Sequence, residues 1–597
     1  MKKMIACLLS LAMVLSLAAC SGTSGEPAPT EAAKEAETQA AKEQKSETET
    51  TAAATEAAAG DPWDNLETLV IPIYSASSEG FATNRFSDTW LGSYILDKFN
   101  VDFELFPAPA DADTFYSTAL VGGDYPEILS TTNLNVLLSY EDAGTLICLD
   151  DYQDKLQTFY ATLGDAVIEK ARSQSADGKL YNWYYNTPCG PTMQLSYTNL
   201  NDWTVRADQL EEYGADKMPY TYDEWLEFFK AMQAAHPTAP DGTAAYAMSF
   251  PGAESWAADC VFQGGATRDG VHTKVTGSAA FNTVTDKWDN YYTSEGAKAC
   301  VKFFNDLYKA GCLDPESFTL QDGDVAQKAA NGYIYAFTVA NWNDAAINEA
   351  LPTVYGDPDH AVIQVPFSNV DGKHIRAKQI ENSRMIALTD KLTGDKLDRV
   401  LALLDWYFSE EGQLMYGSGE EGVDFEWQDG KRVPIGKFKE EIVNGFAEGY
   451  AYTRGTYESY ALSEVLGASW DDCPRDGQPY RLNRSAAIAS ELGTNDYQKK
   501  VYKDLGWENN TSWWTENTVL DPNVLTYGIV ALTTEDAEYD AGYITCPDIA
   551  RNYAAKLAFA DDFDATWAEF EEALEKAGIN EFIDAVNAKY DAVKAGK

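Results

Sequence analysis

Apolar residues are distributed along the chain in three regimes. Ile5 to Leu17 forms a short apolar run behind Lys2 and Lys3, the order of a secretory leader, and falls short of the roughly 20 residues that span a bilayer. Residues 21–61 then hold no aromatic residue and no Val, Ile or Leu. Such a tract cannot bury enough surface to offset its ordering entropy, so a flexible tether is expected. From Trp63 onward the pattern becomes that of a folded chain. Leu66 to Tyr74 is apolar and β-branched, a buried-strand pattern, and is followed by the polar Ser75, Ser77, Ser78 and Glu79. Asp88 is placed to cap a helix in which Trp90, Leu91, Tyr94, Ile95 and Phe99 recur at helical spacing. Val101 to Phe106 reads as a second strand, Thr114 to Val121 as a helix stopped by Gly122-Gly123, and Glu127 to Leu129 as the start of a third strand.

This β-α-β-α-β order predicts an α/β lobe with a largely parallel sheet. Ligands of such sheets bind beyond the C-terminal ends of the strands, which singles out the loops 75–79 and 130–133. Further along, Thr221 and Glu224 have capping-box spacing. Gly311 closes a helix carrying Val301, Phe304, Leu307 and Tyr308, and Leu397 to Phe408 forms a long apolar helix. At 597 residues the chain is too long for one core, so at least two lobes are expected.

Leu17-Ala18-Ala19-Cys20 resembles a bacterial lipobox. The resemblance implies cleavage before Cys20 and acylation of its sulfur, giving an anchor to the extracytoplasmic face of the cell membrane. In the body, ALVGGDYPEIL (119–129), YEDAGTLICLDDY (140–152), DGKLYNWYY (177–185), PYTYDEWLEFFKAM (219–232), SEGAKACVKFFNDLYKAGCLDPESF (294–318), NGYIYAF (331–337) and WAEFEEALEKAGINEFIDAVNAKYDA (567–592) follow one another. In their order and spacing they resemble the extracellular solute-binding lipoproteins of bacterial ABC transporters, family 1-like, in the large lipoprotein-type branch. The resemblance implies a two-lobed, periplasmic-binding-protein-like α/β fold of type II, with hinge crossovers and a ligand cleft between lobes. It implies a signal peptide over 1–19, a lipidated tether over 20–61 and lobe 1 over 62–195. Lobe 2 is expected over 196–375, a return to lobe 1 over 376–440, and mainly lobe 2 with C-terminal helices over 441–597. The function implied is capture of a carbohydrate by cleft closure and its unaltered delivery to ABC permease subunits.

Charge and composition bear on partners. With 94 acidic against 45 basic residues the net charge is -49, a surface that repels phosphate backbones and argues against nucleic acid. The 15 Trp, 35 Tyr and 25 Phe must mostly serve the core, and the bias adds only a small weight for sugars, on whose rings aromatic faces stack. Beyond Cys7 and Cys20, the seven cysteines 148, 189, 260, 300, 312, 473 and 546 have no CxxC spacing and are expected as free thiols. The four histidines (236, 272, 360 and 374) lack zinc-ligand spacing. In AHPTAPDGTAAYAMSF (235–250), near where large relatives carry a calcium loop, only Asp241-Gly242 is present, so no calcium and no other cofactor is expected.

Candidate ligand contacts are polar or aromatic residues in loops after strands. Ser75, Glu79 and Thr131 follow the first and third strands. Trp183, Tyr184 and Tyr185 follow the DGKLY segment, where the resemblance implies a ligand aromatic, and Trp342, Asn343 and Asp344 follow YIYAFTVA in the same way. Trp256, Trp470, Asp471 and Trp513 complete the set. Trp90, Trp225, Trp406 and Trp567 lie at helical spacing and are expected in the core. A secreted glycoside hydrolase would need two suitably spaced carboxylates, but no hydrolase, protease, esterase or nucleotide motif occurs, so no catalytic residue is assigned. A receptor for a peptide or other small metabolite is the remaining alternative.

Overall fold

The computed structural model describes residues 63, 65–75, 84–109, 111–189, 203–214, 218–254, 261–262, 271–338, 343–365, 374–377, 384–443, 456–482, 488, 492, 494–509, 516–521, 530–532 and 536–595. The leader, Cys20 and the tether lie outside them. The first passage runs β1 (Leu69–Ser75), helix Trp90–Phe99, β2 (Val101–Pro107), helix Ala112–Gly122, β3 (Ile128–Thr131), helices Leu134–Asp142 and Gln157–Gln174, β4 (Asn182–Tyr184) and β5 (Asn186–Cys189). The second carries β6 (Trp203–Arg206), β7 (Tyr246–Ser249), the meander β8 (His272–Thr276), β9 (Ala279–Asn282) and β10 (Lys287–Asn290), then β11 (Ile334–Thr338) and β12 (Val362–Val365). The third holds β13 (His374–Ala377), β14 (Met385–Leu388), the hairpin β15 (Phe425–Gln428) and β16 (Lys431–Pro434), and β17 (Ala468–Trp470). The last contains β18 (Thr518–Asp521) and closes on helices Cys546–Ala558, Phe563–Lys576 and Ile579–Lys594.

Two large hydrophobic cores divide these passages into lobes. The first gathers Ile71, Ile73, Phe103, Leu129, Trp183, Ile386, Leu401 and Leu404, and also Ala461 to Ala468. The second gathers Val205, Trp225, Phe228, Phe304, Trp567, Phe570 and Phe582. Among the described residues the chain therefore crosses between cores three times: between 189 and 203, between 365 and 384, and between 482 and 494. Three crossings are the connectivity of a hinge. The return to lobe 1 does not stop at 440 as expected. The helix Thr456–Leu466 packs on β1, β3 and β14, and its Ala461, Leu462, Val465 and Leu466 belong to the first core.

Local signals translate directly into elements. Thr221 and Glu224 close a reciprocal capping box on the helix Tyr222–Ala235, and Gly123 ends the helix Ala112–Gly122 at φ 72°, a left-handed conformation glycine adopts without strain. The cap of the helix Trp90–Phe99 is Thr89, whose side chain accepts from the Gly92 amide, rather than Asp88, which ends a short 3-10 turn. Sheet direction departs further from expectation. β1 and β2 are parallel, but β14 lies antiparallel between β3 and β4. In lobe 2, β6 is antiparallel to β11 and β12, while β11 is parallel to β7. The reason is connectivity: β14 belongs to a later passage and enters lobe 1 from the other lobe, not through a βαβ crossover.

Trp225 and Trp567 are in the second core as expected, and Trp90 and Trp406 pack against the first. Tyr308, on the outer side of its helix, is 40% exposed. Cys148, Cys300, Cys312, Cys473 and Cys546 are free thiols. No described helix is long and apolar enough to cross a membrane.

Candidate functional site

The C-terminal ends of β1, β3 and β4 and the beginning of β14 share one edge of lobe 1. Antiparallel pairing sets Met385 opposite both Thr131 and Tyr184, so Arg384, one residue earlier, emerges between those strand ends. Its carbonyl accepts the Tyr185 amide at 3.0 Å. The Arg384 guanidinium lies 3.2 Å from Glu464 Oε1 and 5.8 Å from the centre of the Tyr185 ring. Glu464 comes from the helix Thr456–Leu466 and its side chain is only 4% exposed, against 28% for Arg384. The Ser75 hydroxyl also donates to the Glu464 carboxylate, and Ser130 donates to the Glu464 backbone carbonyl. Burial pushes the Glu464 carboxyl above its ordinary range, and Arg384 and Ser75 work against that rise. The second oxygen, Oε2, is buried and meets no hydrogen-bond donor among the described residues. Arg384 retains donors that neither Glu464 nor Ser130 occupies, because a guanidinium carries five.

Lobe 2 presents a different edge. Asp344 opens the helix Asp344–Tyr355, directly after the loop that follows β11. Its carboxylate accepts from Thr204 Oγ1 at 3.2 Å and Gln364 Nε2 at 3.0 Å, side chains of β6 and β12. Burial raises its carboxyl to about 7, with the two neutral donors opposing the shift only in part. Beside it, Asn343 donates to Asp322 Oδ1 at 3.0 Å.

The sequence-derived candidates sort as follows. Ser75, Thr131 and Tyr185 meet at the lobe 1 edge and are buried. Trp183 and Tyr184 lie within the first core. The Trp183 indole is 0% exposed, donates to the Leu466 carbonyl at 2.8 Å and packs edge-on against Phe159. The Tyr184 hydroxyl donates to Gln174 at 2.6 Å, and Lys170 sits over its ring. Both side chains are packed inside the first core. Asn343 and Asp344 lie at the start of the helix Asp344–Tyr355, where Asp344 is tied to β6 and β12 through Thr204 and Gln364. Asp471 lies in the segment after β17, beside the lobe crossing. It takes the Asp472 amide on its carboxylate, and burial raises its carboxyl. Trp470 pairs through its backbone with Cys189. Glu79, Trp256, Trp342 and Trp513 lie outside the described residues. Sequence reading did not single out Glu464, whose one signal is a charge within the largely apolar ALSEVL turn.

In the loop 236–245, Asp241 accepts the Thr243 amide and the Tyr333 hydroxyl, each at 2.8 Å. Both of its carboxylate oxygens are thus engaged by protein donors.

No protein-family model and no curated protein matches the sequence. Solved structures match across most of the chain. The alginate-binding protein AlgQ2, in its form without calcium ion, is 17% identical with a TM-score of 0.57, covering 88% of this chain and 98% of its own. The Streptococcus pneumoniae ABC-transporter substrate binding protein FusA, in complex with kestose, is 15% identical with a TM-score of 0.58, covering 88% and 100%. An extracellular solute-binding protein from Bifidobacterium longum subsp. infantis is 14% identical with a TM-score of 0.60, covering 88% and 97%. Two cores, three crossings and this shared backbone course together give the chain the two-lobed α/β fold of the extracellular solute-binding proteins.

Proposed function

We propose that this protein is a lipid-anchored receptor on the extracytoplasmic face of the membrane. In this reading it closes its two lobes on a carbohydrate, most simply an oligosaccharide, and hands it unaltered to an ABC permease. The observation that carries the reading is the pair of polar strand-end clusters, one per lobe, on a fold whose solved examples include an alginate-binding protein and a substrate binding protein holding kestose. Ser75, Thr131, Tyr185 and Arg384 supply hydroxyl-compatible donors and acceptors on lobe 1, with Glu464 behind them. Asn343 and Asp344 brace the opposing loop on lobe 2, and Trp256, Trp342, Trp470, Asp471 and Trp513 remain candidate contacts.

Charge narrows the ligand. Arg384 is balanced by Glu464, and among the described residues Asp344 has no cation among its hydrogen-bond partners. The two edges together offer no net positive charge, which favours a neutral sugar over a uronate or other anion. Closure would exclude water, strengthening each hydrogen bond to a hydroxyl. Micromolar capture requires about -8 kcal/mol, within reach of a few such bonds and one stacked ring.

A thermal-shift screen over neutral oligosaccharides, uronate oligomers and short peptides tests this reading. A saturable rise with a neutral sugar, and no product after prolonged incubation, is the expected result. Turnover of any glycan, or a response to peptides alone, would overturn it. Cys20→Ala is expected to move the protein from the membrane fraction to the medium, and retention on membranes would refute the anchor.

A further inference from the structure

Tyr539 belongs to lobe 2 and is rigidly held there. Its ring stacks on Tyr543 at 4.8 Å with an interplanar angle of 20° and packs against the second core. Tyr543 is fixed in turn. Its hydroxyl lies 2.8 Å from Thr276 Oγ1 and accepts the Leu532 amide at 3.2 Å, and its ring stands edge-on to Phe582. The backbone Ala541–Thr545 is a π-helical turn. Gly542 is required in it, since a Cβ there would come within 2.0 Å of the Phe582 ring. Ser278 donates to the Gly542 carbonyl at 2.7 Å. Such turns are uncommon and recur where a side chain must be aimed.

Tyr539 reaches lobe 1. Asn135 Nδ2 donates to the Tyr539 hydroxyl at 2.7 Å. Asn135 sits on the first turn of the helix Leu134–Asp142, whose Val136, Leu137 and Tyr140 belong to the first core. Behind it, Asn133 Oδ1 accepts the Asn135 amide at 2.9 Å, and the Asn133 amide donates to Thr131 Oγ1 at 3.0 Å. Thr131 ends β3 opposite Met385, next to Arg384. A run of hydrogen bonds thus leads from the lobe 1 strand-end cluster through Thr131, Asn133 and Asn135 to an aromatic spur of the other lobe.

We propose that the Asn135–Tyr539 hydrogen bond is a latch that holds the lobes together before any ligand arrives, with Tyr539 as the positioning residue that sets the closed geometry. Asn135 follows the strand-end loop of lobe 1 and Tyr539 packs on the core of lobe 2, so separation of the lobes would break a 2.7 Å contact. The bond therefore belongs to the closed arrangement. One net hydrogen bond shifts the ratio of closed to open molecules roughly threefold to tenfold. The ligand-free receptor accordingly samples closure, and a ligand completes a transition already under way. This inference rests on two mobile lobes and not on the identity of the ligand.

Small-angle scattering of the ligand-free protein tests it. Tyr539→Phe keeps the ring stack and removes only the hydroxyl, Asn135→Ala removes the donor, and the double variant removes both. Each is expected to shift the profile to a larger radius of gyration, with the double variant expanding no further than Tyr539→Phe. The melting temperature of Tyr539→Phe should stay within about 3 °C of the parent, which separates a latch from a merely structural role. A Tyr539→Phe profile superimposable on the parent, or additive expansion in the double variant, would overturn the latch. Should Asn135→Ala fail to fold, Tyr539→Phe alone decides. No sugar is added, so failure of the carbohydrate reading leaves this result untouched.

Discussion

Each lobe holds a partly or fully buried carboxyl near the ends of its strands, and the two are accommodated differently. Glu464 in lobe 1 has a guanidinium 3.2 Å away and the Ser75 hydroxyl on the same group. Among the described residues, Asp344 in lobe 2 has only the neutral Thr204 and Gln364. Burial raises both carboxyls, but the one without a cation reaches about 7. One lobe thus presents a charge pair, and the other an acid whose charge is decided near neutral pH. A cation changes what a buried acid costs more than a pair of hydrogen bonds does.

The largest effect is expected where that pair is broken. Arg384→Met leaves Glu464 buried without its cation and should cost about 3 kcal/mol of stability at pH 8. The pH dependence has a definite sign. A carboxyl raised above its ordinary value of 4.5 contributes stability fully below that value and loses it as pH rises through the folded value. Removing Arg384 raises Glu464 further, so the deficit should be deepest at alkaline pH and shrink by pH 5. Urea unfolding at the two pH values measures this. An equal deficit at both would show that Arg384 acts through packing alone.

Asp344→Asn probes the other lobe and should have a smaller effect. The amide can still accept from Thr204 and Gln364, but it no longer ionises. The parent should lose stability relative to the variant as pH rises from about 4 through 7, the interval between its ordinary value of 3.8 and its raised one. Each unit is worth about 1.4 kcal/mol. Solvent screening of the partly exposed side chain brings the expected gain of the variant at pH 8 to about 2 kcal/mol. Tyr502, raised chiefly by its own burial, is the titratable neighbour that feels Asp344. Parallel stability curves for parent and variant between pH 4 and 8 would remove the contrast between the lobes.

How much of this was legible beforehand divides along the same line. Lobe 1's opening elements were readable because their signals are local: the β-branched run ending at Ser75, the helical spacing from Trp90 to Phe99, the Gly122-Gly123 stop. The Thr221–Glu224 capping box is equally local. The direction of β14 was not readable, since its partners β3 and β4 lie some 200 residues or more earlier in the chain. Trp183 was singled out by resemblance and by its place after DGKLY, whereas its burial with every residue of β4 could not be read from the sequence. A strand covered on both faces has no polar alternation to separate a platform from a core residue. Glu464 and Tyr539 were missed for a related reason. Glu464 enters the site from a helix in a later passage, and Tyr539 gains meaning only when Asn135, 404 residues away, is placed beside it.

The smallest effect on stability should come from Glu464→Gln, and it sharpens the comparison most. The amide oxygen can keep the contacts to Arg384 and Ser75, so those interactions survive without the buried charge. The amide nitrogen would occupy the place of Oε2, which meets no donor among the described residues. One unpartnered polar atom replaces another, and stability should stay within about 1 kcal/mol of the parent. Ligand preference should move more. With Glu464 neutral, Arg384 becomes an uncompensated cation at the lobe 1 edge, so uronate oligomers should gain affinity relative to neutral ones of equal length. Titration calorimetry with both series reads that ratio. If the ratio is unchanged, Arg384 does not face the ligand, and the charge argument for a neutral sugar loses its basis in lobe 1.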